Sequence, residues 1–295
     1  MNDIGMTAAA ARTEKAESAP FDREEWLRKK KEERENAFRL IEEVSREAAK
    51  DWETVRLCLE LQGRFPHYSV GNIMLLAVQK PYATQLADYR TWKEAGVKIR
   101  WGEKGIMLLE PGREYTREDG KRAVSFHTRR VFDVSQTTAE KTPGSVRHRD
   151  IKLLVNALTH SAPCEVRIDG TAPYPGEMTA FYDRERRRIW AAVRENREHL
   201  FREVARETAR ARMDADGYDG PCGAFTAMCV SYMLCMKYGL DMTSFRFDVL
   251  PQGFSSLDPR GIRTELDRMK RLAGRIGGDM DRYLESRERA GDPER

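Results

Sequence analysis

Polar residues outnumber apolar ones through residues 22 to 50, and Trp26, Leu27, Lys30 and Arg34 make no sustained apolar stripe. That pattern predicts a long exposed helix. From Trp52 through Val55, Leu57, Cys58, Leu59 and Leu61 the apolar spacing tightens to 3 to 4, which predicts a core helix ending at Gly63. A second core helix runs from Ser69, a good N-cap, to Gln79. Ile73, Leu76 and Ala77 form its buried face and Pro81 stops it. Thr91 to Gly96 reads as a short helix closed by glycine. The period then falls to two. GIMLLEPG and AVSFHTRRVFDV, with a turn at Asp119-Gly120, predict antiparallel strands.

Beyond the polar segment KTPGSVRHRD, which we take as an interdomain linker, the same reading predicts a helix from Ile151 to His160 and a strand at CEVRID. A hairpin follows at MTAFYD and RRIWAAV, then helices at about 196 to 213 and 223 to 238. Long charged helical segments from Asp258 to about Arg289 end the pattern. The expected organisation is a disordered tail over 1–21, a first domain over 22–140, a linker over 141–150 and a second domain over 151–295. The fold class expected is α+β.

Charge changes this picture. Residues 1 to 63 carry 12 Lys/Arg against 15 Asp/Glu, residues 64 to 132 carry 13 against 7, and the remainder 27 against 26. The positive excess is concentrated in one middle block, as a polyanion footprint requires. In that block Tyr68, Tyr82, Tyr89, Trp92 and Trp101 interleave with Lys80, Arg90, Lys93, Lys98, Arg100 and Lys104. Cations neutralise phosphates and flat rings stack on unpaired bases, so the combination suits single-stranded nucleic acid. No helix-turn-helix pair or zinc finger is visible, which argues against sequence-specific duplex reading. Against this stands the ordinary role of aromatic rings as core residues.

Five cysteines, with no C-x-x-C pair, read as reduced thiols of a cytosolic protein. No apolar run reaches the length of a membrane span, and the first residues lack the form of a secretory signal.

The residues Tyr68-Ser69-x-x-Asn72, Gln79, Trp92-Lys93-x-x-Gly96, Lys104-Gly105 and Val131-Phe132-Asp133-Val134-x-Gln136-Thr137 resemble the N-terminal domain of ArdC-type antirestriction proteins of conjugative and mobile elements. The resemblance spans roughly residues 50 to 140 and implies a domain that binds single-stranded DNA with little sequence preference. Carried over, it makes Tyr68, Asn72, Gln79, Trp92, Lys93, Arg100 and Lys104 candidates for the strand, joined by Lys98 and Trp101 from the interleaved block. The lysines and Arg100 would meet phosphates, Tyr68 and Trp101 would stack, and the two amides would bond backbone or base edges.

In the second half, AFYDRERRRIWAAV and GAFTAMCVSYMLCMKYGLD resemble the hairpin and the later helix of the zincin-like, helix-and-hairpin peptidase domain of that family, with a difference. Where H-E-x-x-H is expected, the chain reads Arg202-Glu203-Val204-Ala205-Arg206, and the third-ligand position reads Met228. Guanidinium has no free lone pair and stays protonated, so this set is unsuited to zinc. The expectation is no metal, no cofactor and no catalysis. His199 reads as a lone surface histidine, and the arginines either as partners in ordinary helix ion pairs or as holders of an anion, a DNA phosphate or an internal carboxylate. Two functions remain open: an accessory protein that binds single-stranded DNA, with conjugation or restriction-system proteins as possible partners, or a protein-interaction module with little DNA binding.

Overall fold

The computed structural model describes residues 22–139, 149–170, 179–192, 196–245 and 249–289. The expected tail over 1–21 and nearly all of the expected linker lie outside them.

The first half begins with α1 (Arg23–Ala48), whose N-terminus is capped by Asp22. This helix is not exposed throughout. Ala37, Ile41, Val44, Ser45 and Ala48 are buried. Their spacing of 4, 3, 1 and 3 makes a narrow stripe of mostly small residues, which escapes a search for large apolar side chains. Next come α2 (Trp52–Arg64) and α3 (Val70–Gln79), the latter with Ser69 accepting the Asn72 amide as its N-cap. A short β1 (Leu86–Ala87) leads into α4 (Tyr89–Glu94). Gly96, just past that helix, holds φ +74°, a left-handed value suited to a glycine C-terminal cap.

The hairpin of β2 (Ile106–Thr116) and β3 (Arg122–Asp133) completes an antiparallel sheet of order β1-β3-β2. Its register pairs Ile106 with Val131 and shifts at a bulge between Pro111 and Glu114. The edge of β2 lies along α3 and α1 also packs on the hairpin, so Ile106 to Leu109 are buried on both faces of the strand.

The second half contains α5 (Ile151–Ser161), β4 (Glu165–Ile168), β5 (Ala180–Asp183), β6 (Arg188–Ala191), α6 (Arg197–Ala215), α7 (Gly223–Lys237), α8 (Gln252–Ser255) and α9 (Pro259–Arg289). The sheet order is β4-β6-β5, with β4 parallel and β5 antiparallel to β6. This sheet lies on α6, which also packs on α5 and α7. The architecture is α+β, and among the described residues no helix is long and apolar enough to cross a membrane.

The halves share a packed seam. Trp52 lies edge-on to Phe225 at 5.9 Å and to Tyr232 at 6.5 Å. The Tyr232 hydroxyl donates to Glu60 at 3.0 Å, Arg263 to Glu42 at 3.0 Å, and the Lys270 ammonium to the Tyr68 carbonyl at 2.7 Å. The apolar core is therefore continuous across the expected boundary.

Candidate nucleic-acid interface

The nine residues nominated from the sequence divide into two groups. Asn72 on α3 is buried; its Nδ2 donates to the Leu109 carbonyl at 2.8 Å, and its Oδ1 accepts the Leu109 amide at 2.8 Å. Two turns later Gln79 does the same for Met107, donating to its carbonyl at 2.9 Å and accepting its amide at 2.8 Å. β2 is the edge strand of its sheet, and these amides supply the partners a neighbouring strand would otherwise provide. Trp92 is also buried, its indole N–H donating to the Phe132 carbonyl at 3.0 Å. Asn72, Gln79 and Trp92, nominated for DNA contact, thus bond to the backbone of the hairpin. Their polar groups are committed inside the fold. Tyr68 is half-buried against Phe65, with ring centroids 5.8 Å apart, and burial raises its pKa. Its ring is set into the core edge.

Lys93, Lys98, Arg100, Trp101 and Lys104 are exposed. Trp101 is 101% exposed, at the tip of the loop between α4 and β2. Gly102 follows it with φ +82°, a turn conformation that L side chains rarely adopt. No hydrogen bond or ion pair engages the ammonium groups of Lys93, Lys98 and Lys104 among the described residues, and Arg100 reaches only the Ser135 carbonyl, at 3.4 Å. This is unusual in a molecule whose α1 and α9 cations are extensively paired with carboxylates.

The loop is held from the end of β3. A 3-10 turn, Val134–Gln136, is closed by a capping box in which Asp133 accepts the Ser135 amide and Gln136 Oε1 accepts the Asp133 amide. Gln136 Nε2 donates to the Lys104 carbonyl at 2.9 Å and to Glu103 at 2.8 Å, and its own carbonyl accepts the Arg100 amide at 2.9 Å. The Lys98 amide donates to the Thr138 hydroxyl at 3.1 Å, and the Lys98 carbonyl accepts the Thr138 amide at 2.8 Å. Asp133 Oδ1 also accepts the amides of Thr84 and Gln85, at 2.7 and 3.1 Å. Burial pushes its carboxyl pKa up, but hydrogen bonds from Ser135, Thr84 and Gln85 outweigh that and leave it below the usual range. The D-x-x-Q spacing was a readable capping signal. Tyr82 and Tyr89, 83% and 60% exposed, belong to the same surface block but were not among the nominated residues.

Residues 30–149 match the model of the N-terminal domain of anti-restriction factor ArdC. This segment belongs to the ArdC N-terminal domain family. The ArdC-type segment holds all nine nominated residues and the β3-end motif. Across the wider chain, an uncharacterized protein of Bacillus anthracis is 22% identical over 277 residues, covering 75% of this chain and 47% of that relative. The chain thus spans about half the length of the curated relative it matches. Two crystal structures of the antirestriction ArdC protein from plasmid R388 are 20% identical to it. The metal-free one has a TM-score of 0.46 and covers 74% of this chain and 84% of its own. The Mn(II)-bound one has a TM-score of 0.48 and covers 72% and 89%.

Outside the ArdC-type segment, the arginines of α6 face carboxylates. Arg206 pairs with Glu203 at 2.6 Å and with Glu207 at 3.1 Å, and Arg210 approaches Glu207 at 3.6 Å. Glu207 is fully buried and also accepts the Tyr182 amide of β5 at 2.9 Å. Arg202 lies 3.7 Å from Glu203 and 5.7 Å from the Phe245 ring centroid. It also donates to His199 Nδ1, whose Nε2 side meets the Thr179 hydroxyl at 2.9 Å. His199 is therefore a half-buried bridge between α6 and the start of the hairpin, not a lone surface group. Glu198, one turn before Arg202, accepts the Asp241 amide at 3.1 Å. Met228 is half-buried on α7. No group of three His, Cys, Asp or Glu gathers to hold a metal ion among the described residues. The cationic, thioether and already-paired side chains do not fit zinc.

Proposed function

We propose that the chain binds single-stranded DNA without sequence preference, as an antirestriction accessory protein of a mobile genetic element, and that its second half is a peptidase-like scaffold without metal chemistry. One observation carries the DNA reading: three lysines without a partner among the described residues, Arg100 and a fully exposed tryptophan are presented on and beside a loop anchored by Gln136 and Thr138. Unpaired cations bind phosphates without first breaking an internal bond. An exposed indole adds an apolar face that only an unpaired base can cover. The family of residues 30–149 supports an antirestriction role. For the second half, Arg202 and Arg206 offer no lone pair where imidazoles are needed, and Glu203, which a hydrolytic mechanism needs free as a base, is ion-paired to Arg206.

The protein-interaction reading draws on a different face. Leu27, Phe38, Val124 and Phe126 are exposed, and Phe38 meets Phe126 edge-on at 5.9 Å along α1 and the hairpin. Competition gel shifts with single-stranded DNA, duplex DNA and RNA of equal length decide between the two. The DNA reading expects single strands to compete best. Absence of any shift at low salt leaves the interaction reading.

A further inference from the structure

We propose that Tyr82, Tyr89 and Trp101 form a three-ring track for unpaired bases, with Asp133 and Gln136 as the positioning residues that hold it. The proposal rests on the single-strand reading above and specifies which atoms of the strand the site takes: base faces, at three rings, in addition to phosphates.

The three rings are the most exposed aromatic side chains of the described residues, at 83%, 60% and 101%. A solitary exposed ring needs no explanation. Three within twenty residues, each on a backbone segment fixed by the same short motif, do. The segment following Tyr82 is held by the Asp133 carboxylate through Thr84 and Gln85, and the Val134 amide adds a bond to the Gln85 carbonyl at 2.9 Å. The Arg64 guanidinium grips the Ala83 carbonyl from the other side at 2.9 Å. Tyr89 opens α4, which is held by the pairing of Leu86 and Ala87 with Asp133 and Phe132 and by the Trp92 indole on the Phe132 carbonyl. Trp101 is held through Arg100, Glu103 and Lys104, all bonded to Gln136.

The cations fit the same plan. Lys93 follows Tyr89 by four residues and shares its helix face, whereas Arg90 is tied to Glu94. Arg100 and Lys104 flank Trp101. Each ring therefore has rigid backbone beneath it, and two of the three have an available cation beside them. Rings carried on bonded backbone avoid the part of the ordering cost that a mobile loop would incur. A duplex hides its base faces, so such a track selects single strands.

The test uses the full chain and two labelled probes, an oligothymidylate and a sugar-phosphate oligomer of the same length lacking bases. Unmodified protein is expected to prefer the base-bearing probe. Tyr82→Ala, Tyr89→Ala and Trp101→Ala should each weaken oligothymidylate binding roughly 5- to 150-fold, the worth of one stacked base. Binding to the abasic probe should not change. Tyr82→Phe and Trp101→Phe should restore the preference. Gln136→Ala should lower the preference for oligothymidylate over the abasic probe, and adding it to Trp101→Ala should lower that preference little further, because Gln136 reaches bases through that ring while its hold on Arg100 and Lys104 affects both probes alike. If Gln136→Ala does not fold, Gln136→Asn serves in the same cycle.

Protein that binds neither probe refutes the single-strand reading and this proposal with it. Equal binding of both probes, or alanine variants that keep the full preference, overturns the ring track while leaving phosphate binding intact. Additive losses of that preference from Gln136 and Trp101 overturn the positioning role.

Discussion

Replacing Asn72 with alanine separates a structural amide from a DNA-contacting one. In the fold, Asn72 satisfies both the amide and the carbonyl of Leu109 on the edge of β2. Alanine leaves two buried backbone groups without partners, at about 1–3 kcal/mol each. The site is 8% exposed, so some water reaches it, and we expect a total near the lower end, about 2–4 kcal/mol. At ~2–4 °C per kcal/mol for a chain of this general size, the melting temperature should fall by about 4–16 °C. The assay is thermal unfolding followed by circular dichroism, paired with DNA binding measured well below the transition. Binding strength and its salt dependence should stay at the level of the unmodified protein. A variant that melts normally but binds DNA weakly would refute the reasoning and return Asn72 to the interface.

Other outcomes follow from the same geometry. Changing Lys93, Lys98 and Lys104 together to alanine should flatten the dependence of log affinity on log salt by about 2, at roughly 0.7 per phosphate contact; an unchanged slope places these lysines away from the strand. Glu207→Ala leaves Arg206, Arg210 and the Tyr182 amide without their shared acceptor. Because both guanidiniums reach solvent, the loss should fall below the ~3–5 kcal/mol of a fully buried pair, and a melting temperature within error of the unmodified protein contradicts the network. Glu33 is held at a pKa of about 2, chiefly by its hydrogen bond to Lys30, against the burial that raises it. A depressed folded-state pKa adds stability that is complete above the unfolded value and lost as pH falls towards about 2. Glu33→Gln should therefore lower stability at neutral pH and flatten the acid limb of the stability profile; an unaltered limb contradicts this. Arg202→His, Arg206→His and Met228→Glu together test whether α6 and α7 retain peptidase-like geometry. A folded triple variant should gain zinc affinity over the parent by calorimetry, and no gain means that the cleft has closed or that Met228 is not the third position.

Local features of the fold were legible. The Ser69 cap, the Gly96 stop, the two hairpins and helices α5 to α7 follow from short-range spacing and turn chemistry, and the structure places each within a few residues of expectation. Long-range partners were not. The seven-residue interval between Asn72 and Gln79 shows that they share a helix face, but it does not show a strand edge lying against that face. Trp92 presented the same difficulty, since its acceptor is forty residues away. The seam between the halves was hidden because nothing in local spacing pairs Trp52 with Phe225 and Tyr232, far along the chain. The burial of Glu207 has no local signal, because it depends on the hairpin packed over the helix. Of the nominated interface, the exposed cations and Trp101 needed only the local pattern of charge and turn. The residues that hold them, Asp133 and Gln136, stood in the quoted motif without a role until their partners were known.

The measurement closest to the central claim is equilibrium binding of the full chain to a single-stranded oligonucleotide and to its duplex at several salt concentrations. The account predicts tighter binding of the single strand at every salt concentration, with log affinity falling linearly as log salt rises. Equal affinity for the duplex, or binding indifferent to salt, would contradict it.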